Sequence, residues 1–449
     1  MGKPRYIRLA DMLSNAIQDG KLAPGTKLPT HRAFAEQFKV ALATATRAYG
    51  ELERRGLIVG EAGRGTFVRD LALPPALGVR QIANDDLIDL VFNMPGDAAD
   101  ADKLRSGLRR LAASGDLEAM LRYQPHGGRR HERRIIAESL SPTLGQVDPE
   151  SLLVTSGGQH GLAILALGLF RRGERIALDT LTYPGFKSIA ALQGLELVPV
   201  DGKGGVMDPE DLQRQCRERK VRCVYLMPTV HNPLGSVMNE ETRLRLIEVA
   251  RENDLLIIED AAYAFLEPDP PASLLSLAPE RTFHVGSFSK NLATGLRLGY
   301  VIAPALYTDR LLEAIRATTW NAPALISGLA TGWIEDGTLA SSQMARRRDG
   351  AERQKLCHSV LNRSAILSHR NAGFAWLPLE KGARAEPVVS RLKEHGILAS
   401  SAEPFATTVA VPQALRLAFG GIPMHELEGV FQLVREVIEG VPHAAGMLE

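Results

Sequence analysis

At 449 residues the chain is too long for one compact core, and two or three domains are expected. Hydrophobic residues make up 45% and charged ones 23%, the composition of a soluble globular protein. The balance of 53 basic against 52 acidic residues argues against a nucleic-acid partner for the chain as a whole. That average hides an asymmetry. Residues 1–70 hold 12 Lys/Arg and 7 Asp/Glu, a net charge of +5, whereas the remainder holds 41 and 45, or −4. A small basic unit on a mildly acidic large one suits a DNA reader attached to something that need not touch DNA.

The N-terminus is charged from Lys3 onward and does not read as a signal peptide. Leu9, Met12, Leu13, Ala16 and Ile17 recur at helical spacing and predict an amphipathic helix over 6–19. Gly20 and Pro24-Gly25 end it, and Thr30 caps a second short helix through Phe38, with Ala35 and Phe38 inward. A third helix is predicted over Leu42–Arg55, its Ala45, Ala48, Tyr49 and Leu52 forming one apolar stripe. Leu57–Val59 and Thr66–Val68 then read as two short strands around a turn holding Gly60, Gly63, Arg64 and Gly65.

Helix, helix, turn, helix and β-hairpin is the winged-helix order. A three-helix interaction module with merely solvated arginines is the competing reading of the pattern alone. Pro24-Gly25-Thr26-Lys27-Leu28-Pro29-Thr30-His31-Arg32, Thr44–Tyr49 and Gly63-Arg64-Gly65-Thr66-Phe67-Val68 resemble the GntR family of winged-helix regulators over the whole segment. That resemblance implies double-stranded DNA as a partner, touched through Arg32, Thr44, Thr46, Arg47, Arg64, Gly65 and Thr66. Ala41-Leu42-Ala43-Thr44 stands where many relatives carry Ser-Arg-Ser-Thr.

The winged helix-turn-helix domain is thus expected over 1–69 and a linker, rich in Pro74, Pro75 and Gly78, over 70–86. Residues 87–449 alternate strand-like and helical runs, the signature of an α/β domain with a mostly parallel sheet. Leu152–Thr155, Arg175–Leu178, Val221–Leu226, Leu255–Glu259 and Tyr300–Ile302 are the predicted buried strands. Gly373–Leu379 and Ala414–Phe419, with a helix over Pro423–Ile438, suggest a smaller C-terminal subdomain. Cys216, Cys223 and Cys357 lack metal-ligand or redox spacing, and apolar runs such as Gly161–Phe170 are too short for a bilayer, so a cytoplasmic protein without a metal is expected.

Five features fall at predicted strand ends, where open α/β sheets bind ligands. Ser156-Gly157-Gly158-Gln159 opens a helix and suits a phosphate, although a plain glycine turn looks the same. Asn232 lies in His-Asn-Pro-Leu-Gly; Asp260, which alone would be a helix cap, precedes Tyr263 by three residues. Lys290 ends Ser287-Phe288-Ser289-Lys290, and Arg297 follows in Gly295-Leu296-Arg297-Leu298-Gly299. A lysine, an acid, phenol-binding donors and a hydroxyl-rich cationic pocket together suit pyridoxal phosphate.

The ordered set resembles the fold-type I aminotransferases and, with the N-terminal domain, the MocR subfamily of GntR regulators. The resemblance implies that catalytic Lys290 carries pyridoxal 5′-phosphate covalently, with Asp260 on the pyridine nitrogen and Asn232 and Tyr263 on the phenolic oxygen. It also implies Tyr183 on the ring and Gly158, Gln159, Ser287, Ser289 and Arg297 around the phosphate. Arg416 matches the arginine that grips a substrate carboxylate, and Tyr123 the tyrosine lent by the partner of a head-to-tail homodimer. The implied function is a transcription regulator sensing an amino compound or the cofactor itself. A working aminotransferase with a DNA-binding appendage is the alternative, since every residue needed for transamination is present. A DNA-binding protein with a relic domain is disfavoured, because no cofactor position is lost.

Overall fold

The computed structural model describes residues 4–18, 21–22, 26–55, 57–61, 65–68, 87–94, 96, 100–113, 117–363 and 365–440. The linker expected over 70–86 and the wing residue Arg64 lie outside the described residues.

The N-terminal unit folds as α1 (Arg5–Gln18), α2 (His31–Gln37), α3 (Leu42–Arg54) and an antiparallel hairpin of β1 (Ile58–Glu61) and β2 (Gly65–Val68). Ala45, Ala48, Tyr49 and Leu52 of α3 are buried as their stripe predicts, against Ala10, Leu13 and Ile17 of α1. Two expectations fail locally. Met12 is exposed and Ala10 takes the inner position. Phe34 rather than Phe38 fills the core beneath α2, because Phe38 has already left the helix as its C-cap. Thr30 caps α2 by accepting from the Ala33 amide at 3.2 Å, and the Tyr49 hydroxyl donates to Pro29 O at 2.7 Å. The second bond ties the start of α2 to α3.

In the large unit, seven strands form one sheet: β3 (Leu152–Thr155), β4 (Arg175–Asp179), β5 (Glu196–Val200), β6 (Val221–Leu226), β7 (Leu256–Asp260), β8 (Thr282–Ser287) and β9 (Gly299–Ile302). Their spatial order is β3-β9-β8-β7-β6-β4-β5, and β9 alone runs antiparallel to its neighbours. The sheet is apolar on both faces, as helix-covered parallel strands must be. One face packs on Leu162 and Leu165 of the helix Gly158–Leu169; the other packs on Ile136 of the helix Arg130–Leu144 and on Leu329 and Trp333.

The smaller subdomain holds the antiparallel strands β10 (Phe374–Pro378), β11 (Ser400–Ser401) and β12 (Ala414–Ala418), ordered β10-β12-β11. The helix Met424–Gly440 covers it with Leu427, Phe431 and Val434. Ile88 and Asp89 pair in parallel with Ile397 and Leu398, so the start of the large unit is stitched to its C-terminal part. The two units also touch. Phe67 of the wing is 8% exposed yet lies outside its own domain's core, and the Arg384 guanidinium sits 3.4 Å from its ring centroid. Among the described residues no helix is long and apolar enough to cross a membrane.

Candidate active site

The pairing register gathers the predicted residues at one edge of the sheet. Ser287 at the end of β8 lies opposite Gly299 at the start of β9, which lies opposite Thr155 at the end of β3. Asp260 at the end of β7 is level with Val285 of β8. This edge carries the C-terminal ends of the parallel strands, where a ligand meets helix N-termini and free loop ends.

Gly157 turns from β3 into the following helix with φ +92°, a backbone that L side chains rarely adopt. A Cβ there would also stand 2.9 Å from Nη2 of Arg297, so glycine leaves the guanidinium its place. Arg297 donates to Ser289 Oγ at 3.3 Å, the Ser289 amide donates to Ser287 Oγ at 3.1 Å, and Ser287 packs on Gly158. A cation, two hydroxyls and a helix start thus share one corner. Gln159 is otherwise engaged: its Oε1 accepts from the Tyr183 hydroxyl at 2.9 Å and its Nε2 donates to Gly185 O at 3.1 Å. It therefore holds Tyr183 in place. Burial pushes the Tyr183 phenol upward, with Asp260 adding to that effect.

Asn232 is buried with its Oδ1 unpartnered, in a turn whose Val230 has φ +59°. Left-handed backbone is strained for a β-branched residue, so the surroundings must impose it. Arg243, fully buried, does so by donating to Pro228 O, Thr229 Oγ1, Met238 O, Pro271 O and Ala272 O.

Lys290 is half-buried and donates to Asn93 O at 2.6 Å. Burial would raise the Tyr263 phenol, but Lys290, Arg416 and a hydrogen bond from Asn93 bring it below its ordinary value. Arg416 is 4% exposed, over the Phe374 ring, and donates to Val91 O at 2.8 Å. Its Nε has no partner, burial lowers its pKa, and no carboxylate among the described residues pairs with it. Tyr123 stays apart from these groups. It is 86% exposed beside Trp320, with ring centroids 5.6 Å apart.

One residue of the site has no signal in the sequence. Tyr225 of β6 reads as a buried strand aromatic, and it does stack on Phe186 at 4.0 Å. Its hydroxyl also donates to Asp260 Oδ2 at 2.7 Å, while the Ala262 amide donates to Oδ1 at 3.1 Å. Burial raises the Asp260 pKa, and these two bonds oppose that shift by favouring the anion. The donor set fits pyridoxal phosphate: a held anion, unpartnered Asn232 and Arg416 atoms, a glycine-lined corner with Arg297, and a lysine within the same cleft.

Tyr225→Phe deletes one oxygen and keeps the stack. It should weaken cofactor binding about tenfold or more, since a hydrogen bond to a charged group contributes roughly 1.5–3 kcal/mol. Asp260 would then protonate at higher pH, so the loss should grow as pH falls. Absorbance titration of the cofactor at several pH values, beside unfolding of the cofactor-free protein, measures this. Equal affinity in both proteins across the pH range would refute the role.

The aminotransferase class I and II family model matches residues 85–432, and the model of the bacterial regulatory proteins of the gntR family matches residues 5–68. The uncharacterized HTH-type transcriptional regulator YdeF of Bacillus subtilis is 29% identical, over 97% of this chain and 95% of its own length. The probable rhizopine catabolism regulatory protein MocR of Rhizobium meliloti is 27% identical, over 83% and 80%. The fold is that of LysN, the α-aminoadipate aminotransferase of Thermus thermophilus, whose structure contains N-(5′-phosphopyridoxyl)-L-leucine. The TM-score is 0.73 at 23% identity, covering 79% of this chain and 93% of that one. The chain belongs to the aminotransferase class I and II family and carries an N-terminal gntR-family helix-turn-helix domain, the combination found in the MocR-type regulators.

Proposed function

We propose that this chain is a DNA-binding transcription regulator whose aminotransferase-like domain holds pyridoxal phosphate and senses an amine bearing an acid group. The observation that carries this reading is Arg416, a buried guanidinium that lacks a carboxylate partner in the cleft of Lys290 and Tyr263. An unpaired buried charge is costly, so the site is built for an incoming carboxylate. When bound, the cofactor supplies an electrophilic carbon for amines and an electron sink. Lys290 would hold it covalently, Asp260 would face its pyridine nitrogen, and Asn232 and Tyr263 its phenolic oxygen. Tyr183, steadied by Gln159, would cover the ring, and Gly158, Ser287, Ser289 and Arg297 would hold the phosphate.

The chain's own residues supply the rest. The Tyr225 hydrogen bond favours the anionic form of Asp260 against its burial, Arg243 fixes the Asn232 turn, and Arg416 would orient the effector. Exposed Leu121, Tyr123 and Trp320 support a homodimer that covers them and lends Tyr123 to the partner's site. A cytoplasmic setting follows from the DNA partner. The complete residue set also favours a second reading, an active aminotransferase with a DNA-binding domain. Operator affinity and keto-acid formation, measured on one preparation with and without candidate amino acids, separate the two. Regulation predicts a shifted affinity with little product; rapid multiple turnover at unchanged affinity would favour the enzyme.

For DNA, Arg32, Thr46 and Arg47 are exposed, and Thr44, Gly65 and Thr66 are partly so. Thr46 Oγ1 is 3.3 Å from His31 Nδ1, which ties its hydroxyl to α2. Arg47→Ala should weaken operator binding by roughly 1–3 kcal/mol while leaving random-sequence binding less affected, as expected when an arginine reads a base. Equal weakening on both DNAs would reduce Arg47 to a phosphate contact. Fluorescence anisotropy at two salt concentrations distinguishes these outcomes.

A further inference from the structure

A second cavity, of about 360 Å³, lies between the helix Arg130–Leu144, the proline-rich loop Pro268–Pro271 and the start of the helix Thr338–Leu361. Of the residues assigned to the cofactor, only Ser287 borders it. Its volume is in the range of small-ligand pockets, roughly 300–1,000 Å³. Its lining is mixed: Leu140, Phe265, Phe288, Ile334 and Leu339 are apolar, while Glu259, His284, Asn291 and Arg347 bring charged and polar groups.

Among the lining residues, His284 is 4% exposed. Its Nδ1 lies 3.0 Å from Glu259 Oε2, and Glu259 also accepts from the Leu274 and Leu275 amides. The carboxylate thus fixes the orientation of the ring and leaves Nε2 without a hydrogen bond among the described residues. Asn291, 7% exposed, has an unpartnered Oδ1, an acceptor. An unmatched buried acceptor is rare in proteins and calls for a donor. On the Thr338–Leu361 helix, half-buried Arg347 lines the cavity and forms no ion pair among the described residues; nearby Glu267 is already held by His369 and Arg370.

We propose that this cavity is a second small-molecule site, taking an organic acid with its carboxylate on Arg347, an apolar body between the walls, and a hydroxyl that donates to Asn291 Oδ1 beside His284. The ligand needs no primary amine, which sets it apart from the effector of the Lys290 site. Ser287, Phe288 and Asn291 flank Lys290 in sequence, so an occupant would rest against the segment that presents the lysine.

The test is calorimetric titration of the full-length, cofactor-loaded protein with 4-hydroxyphenylacetate, 3-(4-hydroxyphenyl)propionate and 5-hydroxypentanoate. At least one should bind saturably at one site per chain, and its analogue lacking the hydroxyl at least fivefold more weakly. Arg347→Ala should weaken binding tenfold or more. Ala340→Trp, at an exposed lining position, should block entry without disturbing the core. Arg416→Ala should leave the affinity unchanged. The proposal is overturned if none of the three acids binds, if binding survives both Arg347→Ala and Ala340→Trp, or if Arg416→Ala abolishes it. The last outcome would place the acid in the cofactor cleft, and none of the three decides whether the protein binds an operator.

Discussion

Lys290→Ala protein is expected to purify colourless and to yield no borohydride-trapped cofactor, whereas the unaltered protein should be yellow and give its reduced adduct on the peptide containing Lys290. The effect should be essentially complete, because a covalent bond is removed. The fold should survive. In the structure the ammonium is half-buried and its hydrogen bond goes to Asn93 O, a contribution of at most roughly 1.5–3 kcal/mol for a charged donor, which domain packing can absorb. A competing lysine makes the mapping informative. Burial lowers the Lys187 pKa to about 8, which raises its fraction of free amine near neutrality. Lys187 is committed elsewhere, however, donating to Pro404 O at 2.7 Å and to Ala406 O. An adduct found on Lys187, or persisting in Lys290→Ala, would overturn the assignment.

The ease of reading this chain varies with how local each signal is. β3 and β6 match their predicted ranges residue for residue, because Leu-Leu-Val-Thr and Val-Arg-Cys-Val-Tyr-Leu are apolar runs bounded by polar turns. Asp260, Ser287 and Arg297 stand out because they interrupt such runs at strand ends. β5 and β8 escape notice: Pro199 breaks one pattern, and Thr282, His284 and Gly286 make the other look like a loop. The long helix Thr338–Leu361 is obscured for a related reason. It buries Arg346 and Arg353, which carry their own partners, Asp100 and Leu292 O for one and Asp349, Phe419 O and Ile422 O for the other. Periodicity counts these arginines as surface.

The remaining gaps concern contacts between distant segments. Nothing near Tyr225 announces that its hydroxyl meets Asp260, 35 positions later, and nothing near Asn93 announces Lys290. The contact of Phe67 with Arg384 is of the same kind. The phenylalanine reads as ordinary wing filling, yet its partner belongs to the smaller subdomain. These pairings depend on the finished fold rather than on any local pattern.

That last contact gives Arg416→Ala its expected consequence. An amino-acid effector would place its carboxylate on Arg416, which lies in β12 of the smaller subdomain, while its amine occupies the Lys290 side of the cleft. If pairing across the cleft favours one position of the smaller subdomain over another, Arg384 at the N-cap of the helix Ala385–Glu394 would move with it. Because Arg384 lies over Phe67, such a shift would reach the wing. A tenfold change in operator affinity requires about 1.4 kcal/mol of differential binding between the two arrangements. Removing one partner of a buried, hydrogen-bonded charge pair costs roughly 2–5 kcal/mol, so Arg416→Ala should weaken the effector at least thirtyfold and erase its influence on DNA at ordinary concentrations. Basal operator affinity and cofactor colour should persist, since without effector the buried guanidinium has no ion-pair partner and its loss takes with it only the bond to Val91 O and its contacts with Tyr263 and Phe374. Arg416→Lys should rescue little, because an ammonium cannot offer two parallel donors to a carboxylate. Operator binding measured across an effector titration for the three proteins decides the matter. An undiminished response in Arg416→Ala would mean that the acid group is read elsewhere, and a response lost in Arg384→Ala but not in Arg416→Ala would place the link at the wing alone.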